Sequence, residues 1–194
     1  EEVFEGTTDK PEYNVRKLYM DAFPAESTAA GQRYPQVNQA IANDIGNSLY
    51  LFYFGHGGIN GWSQERVLTT NEVQGLNNFS PVYSRFPFVS TITCEFTLWD
   101  DHDTYSVGEQ FIKHKSGGAA TMITSSRAIN VGYGETITGA FTKSIFTLNA
   151  AEDFETLGNA HLTAKKNYGG SSDHLKVNYL GDPAMKLSRP KKLL

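Results

Sequence analysis

The sequence predicts an α/β sandwich with a largely parallel central sheet flanked by helices. Three observations lead there. Apolar runs of strand length recur at 49–54, 87–93 and 119–123. Segments with helical spacing lie between and after them, and that alternation is the pattern of a parallel sheet. A length of 194 residues, 39% hydrophobic and 20% charged, is enough for one sizeable core.

Taken in order, residues 1–14 are polar and broken by Gly6, Asp9 and Pro11, which predicts a lead-in segment. Residues 17–20 read as a short strand, and 23–32 as a loop containing Pro24 and Gly31. Pro35 opens a helix whose apolar residues Val37, Ala40, Ile41 and Ile45 share one face, and Gly46 ends it. The run Leu49-Tyr50-Leu51-Phe52-Tyr53-Phe54 is continuously apolar, so a strand covered on both faces is expected. Thr69 and Thr70 before Glu72 and Val73 mark a helix start leading to Leu76. The 87–93 strand ends at Cys94, and a short helix is expected over 107–114. Gly117-Gly118 introduce the strand at 119–123. Two further helices are read at 136–148 and 156–168, and Gly181-Asp182-Pro183 breaks the 177–187 tail. Residues 15–190 form the expected catalytic domain, and 191–194 a tail.

Composition excludes several functions. A net charge of −4 gives no electrostatic case for nucleic acid. No apolar run approaches the length of a membrane helix. The acidic start, Glu1-Glu2-Val3-Phe4-Glu5, is unlike a signal peptide, so the chain is expected to be a mature or excised piece. A single cysteine permits neither an internal disulfide nor a multi-cysteine zinc site. Such a cysteine is either a small buried hydrophobe or a reactive thiol.

In a sheet of this kind, functional groups gather in loops at the carboxyl ends of strands. Two residues there have chemistry to offer. His56 stands two residues beyond one apolar run, and Cys94 directly follows the next. A right-handed crossover would set these strands side by side, about 5 Å apart. A thiol–imidazole pair needs this arrangement: the thiolate attacks, and the histidine takes the proton and returns it to the leaving amine. The histidine comes first by 38 residues, the same order as in caspases, where the gap is about 50.

Gly55, Gly57 and Gly58 around His56 allow a sharp turn with positive φ. The N–H of Gly57, with that of Cys94, could then meet a developing oxyanion. The plainer alternative is a tight turn carrying a solvent-facing histidine. No serine sits in a G-x-S-x-G frame, so a serine hydrolase is disfavoured. His102, His114, His161 and His174 show no metal-ligand spacing. Asp100-Asp101-His102-Asp103 offers a structural calcium site or a solvated acidic loop, and no cofactor is assigned. Trp62 is a candidate cleft wall or a buried aromatic; Glu95 and Glu65 are candidates to orient the pair or bind substrate, or else solvated surface carboxylates; Arg127 is a candidate grip for a carboxylate or phosphate, or simply the partner of a Glu or Asp.

These residues also carry a family resemblance. Phe54-Gly55-His56-Gly57-Gly58 with Gly61-Trp62, then Thr93-Cys94-Glu95-Phe96, then Leu180-Gly181-Asp182-Pro183-Ala184, resemble the gingipain-type cysteine peptidases. Within that family the similarity runs toward the PorU type, the sortases of type IX secretion. It covers about residues 17–187.

The resemblance implies a caspase-like fold and a His56–Cys94 dyad. It implies a protein at the bacterial outer surface, acting with other type IX secretion components. Its substrates would be secreted proteins bearing a C-terminal signal domain, and its acceptor an amine of anionic lipopolysaccharide. The family's catalytic region is longer, so the chain is expected to be a piece of it. No acid here matches the pocket that selects Arg or Lys, so that specificity is not expected. A plain endopeptidase using water, and a silent scaffold, are the alternatives.

Overall fold

The structure is a computed structural model that describes residues 13–82, 84–167 and 170–188. The lead-in expected over 1–14 lies almost entirely outside the described residues, as does the 191–194 tail. The chain divides into two compact units.

The larger unit comprises Leu18–Ile129 and Lys176–Gly181. Its four-stranded sheet has strands β3 (Tyr50–Phe54), β6 (Phe88–Ile92), β7 (Thr121–Ser125) and β8 (Val177–Leu180), in the order β3-β6-β7-β8. The first three run parallel and β8 antiparallel, the largely parallel sheet expected. Two hairpins join this unit: β1 (Glu26–Thr28) with β2 (Gly31–Arg33), and β4 (Gly57–Gly58) with β5 (Gly61–Trp62). Its helices are α1 (Pro35–Ile45), α2 (Thr70–Gln74) and α3 (Val107–Lys113). Val37, Ile41 and Ile45 of α1 join Val73, Val107 and Phe111 of α2 and α3 in one core with Val89 and Met122 of the sheet. The i, i+4, i+8 spacing on α1 is what turns those three onto one face.

Both helix starts at α2 and α3 are fixed by side chains, the first as its sequence signal requires. Glu72 reaches back to the N–H of Thr69 at 2.7 Å, and the Thr69 hydroxyl accepts from the N–H of Asn71. Glu109 likewise accepts from the N–H and hydroxyl of Ser106.

Several local expectations are corrected. Residues 17–20 form no strand; a 3-10 turn runs over Met20–Ala22. The 23–32 segment instead contributes most of the β1–β2 hairpin, whose second strand starts at Gly31 with φ +100°. The strand β3 is half-buried rather than covered on both faces, because it is the edge of the sheet. A continuous apolar run reads the same for a central strand and for an edge strand carrying stacked rings. Here Tyr50 stacks on Phe88 with centroids 5.1 Å apart. The strand predicted over 119–123 begins two residues later, at Thr121.

The smaller unit contains Asn130–Leu175 and the segment from Asp182. Its helices α4 (Val131–Ile145) and α5 (Leu157–Asn167) pair with each other. The helix α4 starts five residues before the expected 136 because the Asn130 side chain caps it, accepting from the N–H groups of Gly132 and Tyr133.

Candidate active site

The site lies wholly in the larger unit. β3 and β6 are in parallel register from Tyr50↔Phe88 to Phe54↔Ile92, and the N–H of Gly55 donates to the Ile92 carbonyl at 3.3 Å. His56 therefore stands two residues past the last pair on β3, and Cys94 two past it on β6. Both leave the same carboxyl edge on neighbouring strands. His56 is exposed and Cys94 half-buried.

The histidine loop is held from beneath. The His56 carbonyl accepts from the N–H of Ser63 at 2.7 Å and from the Tyr53 hydroxyl at 2.6 Å. The Tyr53 ring lies flat on Trp62, centroids 4.3 Å apart. Burial holds the Tyr53 hydroxyl well above the ordinary tyrosine range, with the charge of Glu65 adding to it, so it remains a donor at neutral pH. Trp62 is only 2% exposed, and its indole N–H donates to the Thr91 hydroxyl at 2.8 Å. Of the two readings of Trp62, cleft wall or buried aromatic, this burial matches the second. Its faces are taken up by Tyr53 and Phe96, and it supports the His56 loop from the core.

Among the glycines of this loop, none of Gly55, Gly57 and Gly58 has positive φ; the turn of the hairpin uses Gly61, at φ +126°. Gly57 is needed for space instead. A Cβ there would stand 2.5 Å from the Thr93 hydroxyl oxygen and 3.0 Å from the Gly61 carbonyl. The hydrogen-bond alternation of the hairpin decides where its amide points. Ser63 donates to His56, which makes Gly57↔Trp62 the non-hydrogen-bonded pair, and the N–H of Trp62 goes to Leu68 at 3.0 Å. The N–H of Gly57 is thus turned away from β5.

Glu65 faces this loop. Its carboxyl is held below the ordinary value of 4.5, first by the Ser63 hydroxyl, then by its own backbone N–H, with Arg33 and His56 contributing charge. A depressed carboxyl favours the folded state above its unfolded value, and that contribution fades as pH falls through the folded one. At neutral pH Glu65 is an anion within the electrostatic reach of His56.

The turn at Cys94 is constrained as tightly. Glu95, directly after Cys94, is exposed and has φ +49°, a left-handed conformation that non-glycine residues adopt only when their surroundings impose it. Phe96 is fully buried behind it. The start of α3 ties the two loops together, since the N–H of Val107 donates to the Ile59 carbonyl at 2.9 Å and that of Gly108 to Phe96 at 3.0 Å. A Cβ on Gly108 would come within 2.5 Å of the Phe96 carbonyl, so the helix approaches this closely only because residue 108 is glycine. Sequence reasoning missed Gly108, although a glycine inside a helical segment is a signal of close approach.

Arg127 lies two residues past the end of β7, on the same edge as Cys94. Its guanidinium is held by Asp100 at 2.8 Å and by the Ser126 carbonyl at 2.7 Å. It anchors the loop after Cys94, through an exposed pair of small energetic weight. Asp101, His102 and Asp103 place ligand atoms within 4.8 Å of one another. The Asp101 carboxylate already accepts from the Asp103 N–H and the Thr104 hydroxyl, which hold its pKa below the ordinary range. Those two bonds are the pattern of an acidic turn. Among the described residues no helix is long and apolar enough to cross a membrane.

The sequence pattern of peptidase family C25 matches residues 3–188. The chain belongs to this family. Among solved structures it is similar to the Arg-specific cysteine proteinase gingipain R (RgpB), with TM-score 0.64 and 15% identity, covering 77% of this chain and 36% of that one. It is likewise similar to the complex of the RgpB pro- and mature domains from Porphyromonas gingivalis, with TM-score 0.63 and 16% identity, covering 79% and 37%. At these identities the likeness establishes the gingipain-like fold. The chain spans little more than a third of the length of either structure. No curated protein matches it.

Proposed function

We propose that the protein carrying this C25 chain is a cysteine peptidase that works as a transpeptidase, with Cys94 as nucleophile and His56 as its base. The observation that carries the reading is the register: both residues stand two positions past the Phe54↔Ile92 pair, on one edge of a parallel sheet. His56 takes the Sγ proton, and the thiolate bonds to the substrate carbonyl carbon while its π pair moves to oxygen. The N–H groups of Gly57 and Cys94 receive that oxyanion. The carbonyl re-forms, the C–N bond breaks, and the amine leaves with the proton from His56. A thioester remains on Cys94.

An incoming amine then replaces the thiol, and His56 takes its proton. By family resemblance the substrate is a secreted protein bearing a C-terminal signal domain. The acceptor is an amine of anionic lipopolysaccharide at the bacterial cell surface, among type IX secretion components. Gly61-Trp62 after the histidine and Thr93-Cys94-Glu95-Phe96 at the nucleophile support this PorU-like reading. An acceptor outcompetes water when binding raises its effective molarity, which can reach about 10⁵ M or more. Hydrolysis of the same thioester is the second reading, favoured by the name of the proteinase the fold resembles.

The two readings separate by mass spectrometry of the product made by the full-length protein from a cargo, with a small primary amine added. Transpeptidation predicts a carboxyl end joined to the amine in a share that rises with its concentration. A free carboxylate at every amine concentration would reduce the enzyme to a hydrolase.

A further inference from the structure

Ser125 is the last residue of β7 and is fully buried, yet its hydroxyl donates to the carbonyl of Thr93, the residue before the nucleophile. Its own carbonyl accepts from the N–H of Thr97 at 3.2 Å. One side chain and its backbone therefore grip the nucleophile turn on both sides of Cys94, Glu95 and Phe96. Between the two grips lies the left-handed Glu95.

The consequence lies in the Thr93–Cys94 peptide plane. The Ser125 hydroxyl draws the Thr93 carbonyl to the β7 side of β6. Every described peptide bond is trans, so the N–H of Cys94 points the opposite way from that carbonyl, to the β3 side. Gly57 stands on that side, close enough that a Cβ on it would clash with Thr93. We propose that Ser125 is a positioning residue for acyl transfer, aiming the Cys94 N–H into the oxyanion site opposite Gly57. The proposal rests on the reading of Cys94 as nucleophile. It acts on the carbonyl-addition step, and leaves the thiol's encounter with other electrophiles unchanged.

Two reagents separate those effects on the full-length protein. With p-nitrophenyl acetate, Sγ bonds to the carbonyl carbon, an oxyanion forms, and p-nitrophenolate leaves with its electron pair. Iodoacetamide alkylates Sγ by displacing iodide, with no oxyanion. Ser125→Ala is expected to slow acylation of Cys94 by about 10- to 100-fold, below the loss on deleting an oxyanion donor outright, while alkylation changes by less than about twofold. Ser125→Thr keeps the hydroxyl and should recover most of the acylation rate. Should Ser125→Ala not fold, Ser125→Cys keeps the volume with only a weak S–H donor, and the same ratio should fall. Equal slowing by both reagents, or slowing by neither, overturns the proposal. A wild-type Cys94 inert to both reagents instead sinks the nucleophile itself, and this inference with it.

Discussion

Cys94→Ala is expected to lower kcat by about 10⁴- to 10⁶-fold, with the C-terminal domain of a cargo left attached. The effect is large because no other thiol exists in the chain to replace it. His56→Ala should fall in the same range, and the double variant little lower than either single one, since nucleophile and base act as one unit. Substrate binding is expected to survive, so KM moves far less than kcat. Release of the C-terminal domain by the full-length protein, followed on a gel against time, reads all three variants. Residual activity of Cys94→Ala within tenfold of wild type would transfer the chemistry to another residue.

The second large effect concerns a residue with no side chain. Gly57→Ala puts a Cβ 2.5 Å from the Thr93 hydroxyl oxygen and 3.0 Å from the Gly61 carbonyl, so the β4–β5 hairpin has to move. Because that hairpin carries His56 at its base and the Gly57 amide at its edge, kcat is expected to drop by about 100-fold. Gly58→Ala is the matched control, as nothing lies within 4 Å of its added Cβ. It should keep activity within about threefold of wild type. Steady-state kinetics of the two variants side by side checks the pair, and equal losses would show that Gly57 holds no special place.

Much of this site was legible in the sequence because its signals are local. A glycine-flanked histidine after one apolar run, and a cysteine after the next, need only the rule of strand carboxyl ends to be placed on one edge of the sheet. The register pair Phe54↔Ile92 is the physical form of that expectation. The cap of α2 was legible for the same reason, in Thr69 with Glu72, whereas the Ser106–Glu109 cap of α3 went unread.

What the sequence hid depends on distant partners. The burial of Trp62 under Tyr53 and Phe96 follows from the β4–β5 hairpin folding back, and no spacing rule carries it. Nor does any pattern tie Ser125 to Thr93, 32 residues away and on the neighbouring strand. The exposed edge of β3 was missed because apolar content sets burial only together with strand order.

The most direct measurement is the rate at which iodoacetamide alkylates Cys94 near neutral pH, in the full-length wild type and in His56→Ala. A thiol paired with an imidazole is attacked far faster than an isolated one, because the base supplies the thiolate. The expected result is rapid modification of native wild type at Cys94 and a loss of about tenfold or more in His56→Ala. Equal rates in the two proteins, or a Cys94 that reacts only after denaturant is added, would contradict the dyad.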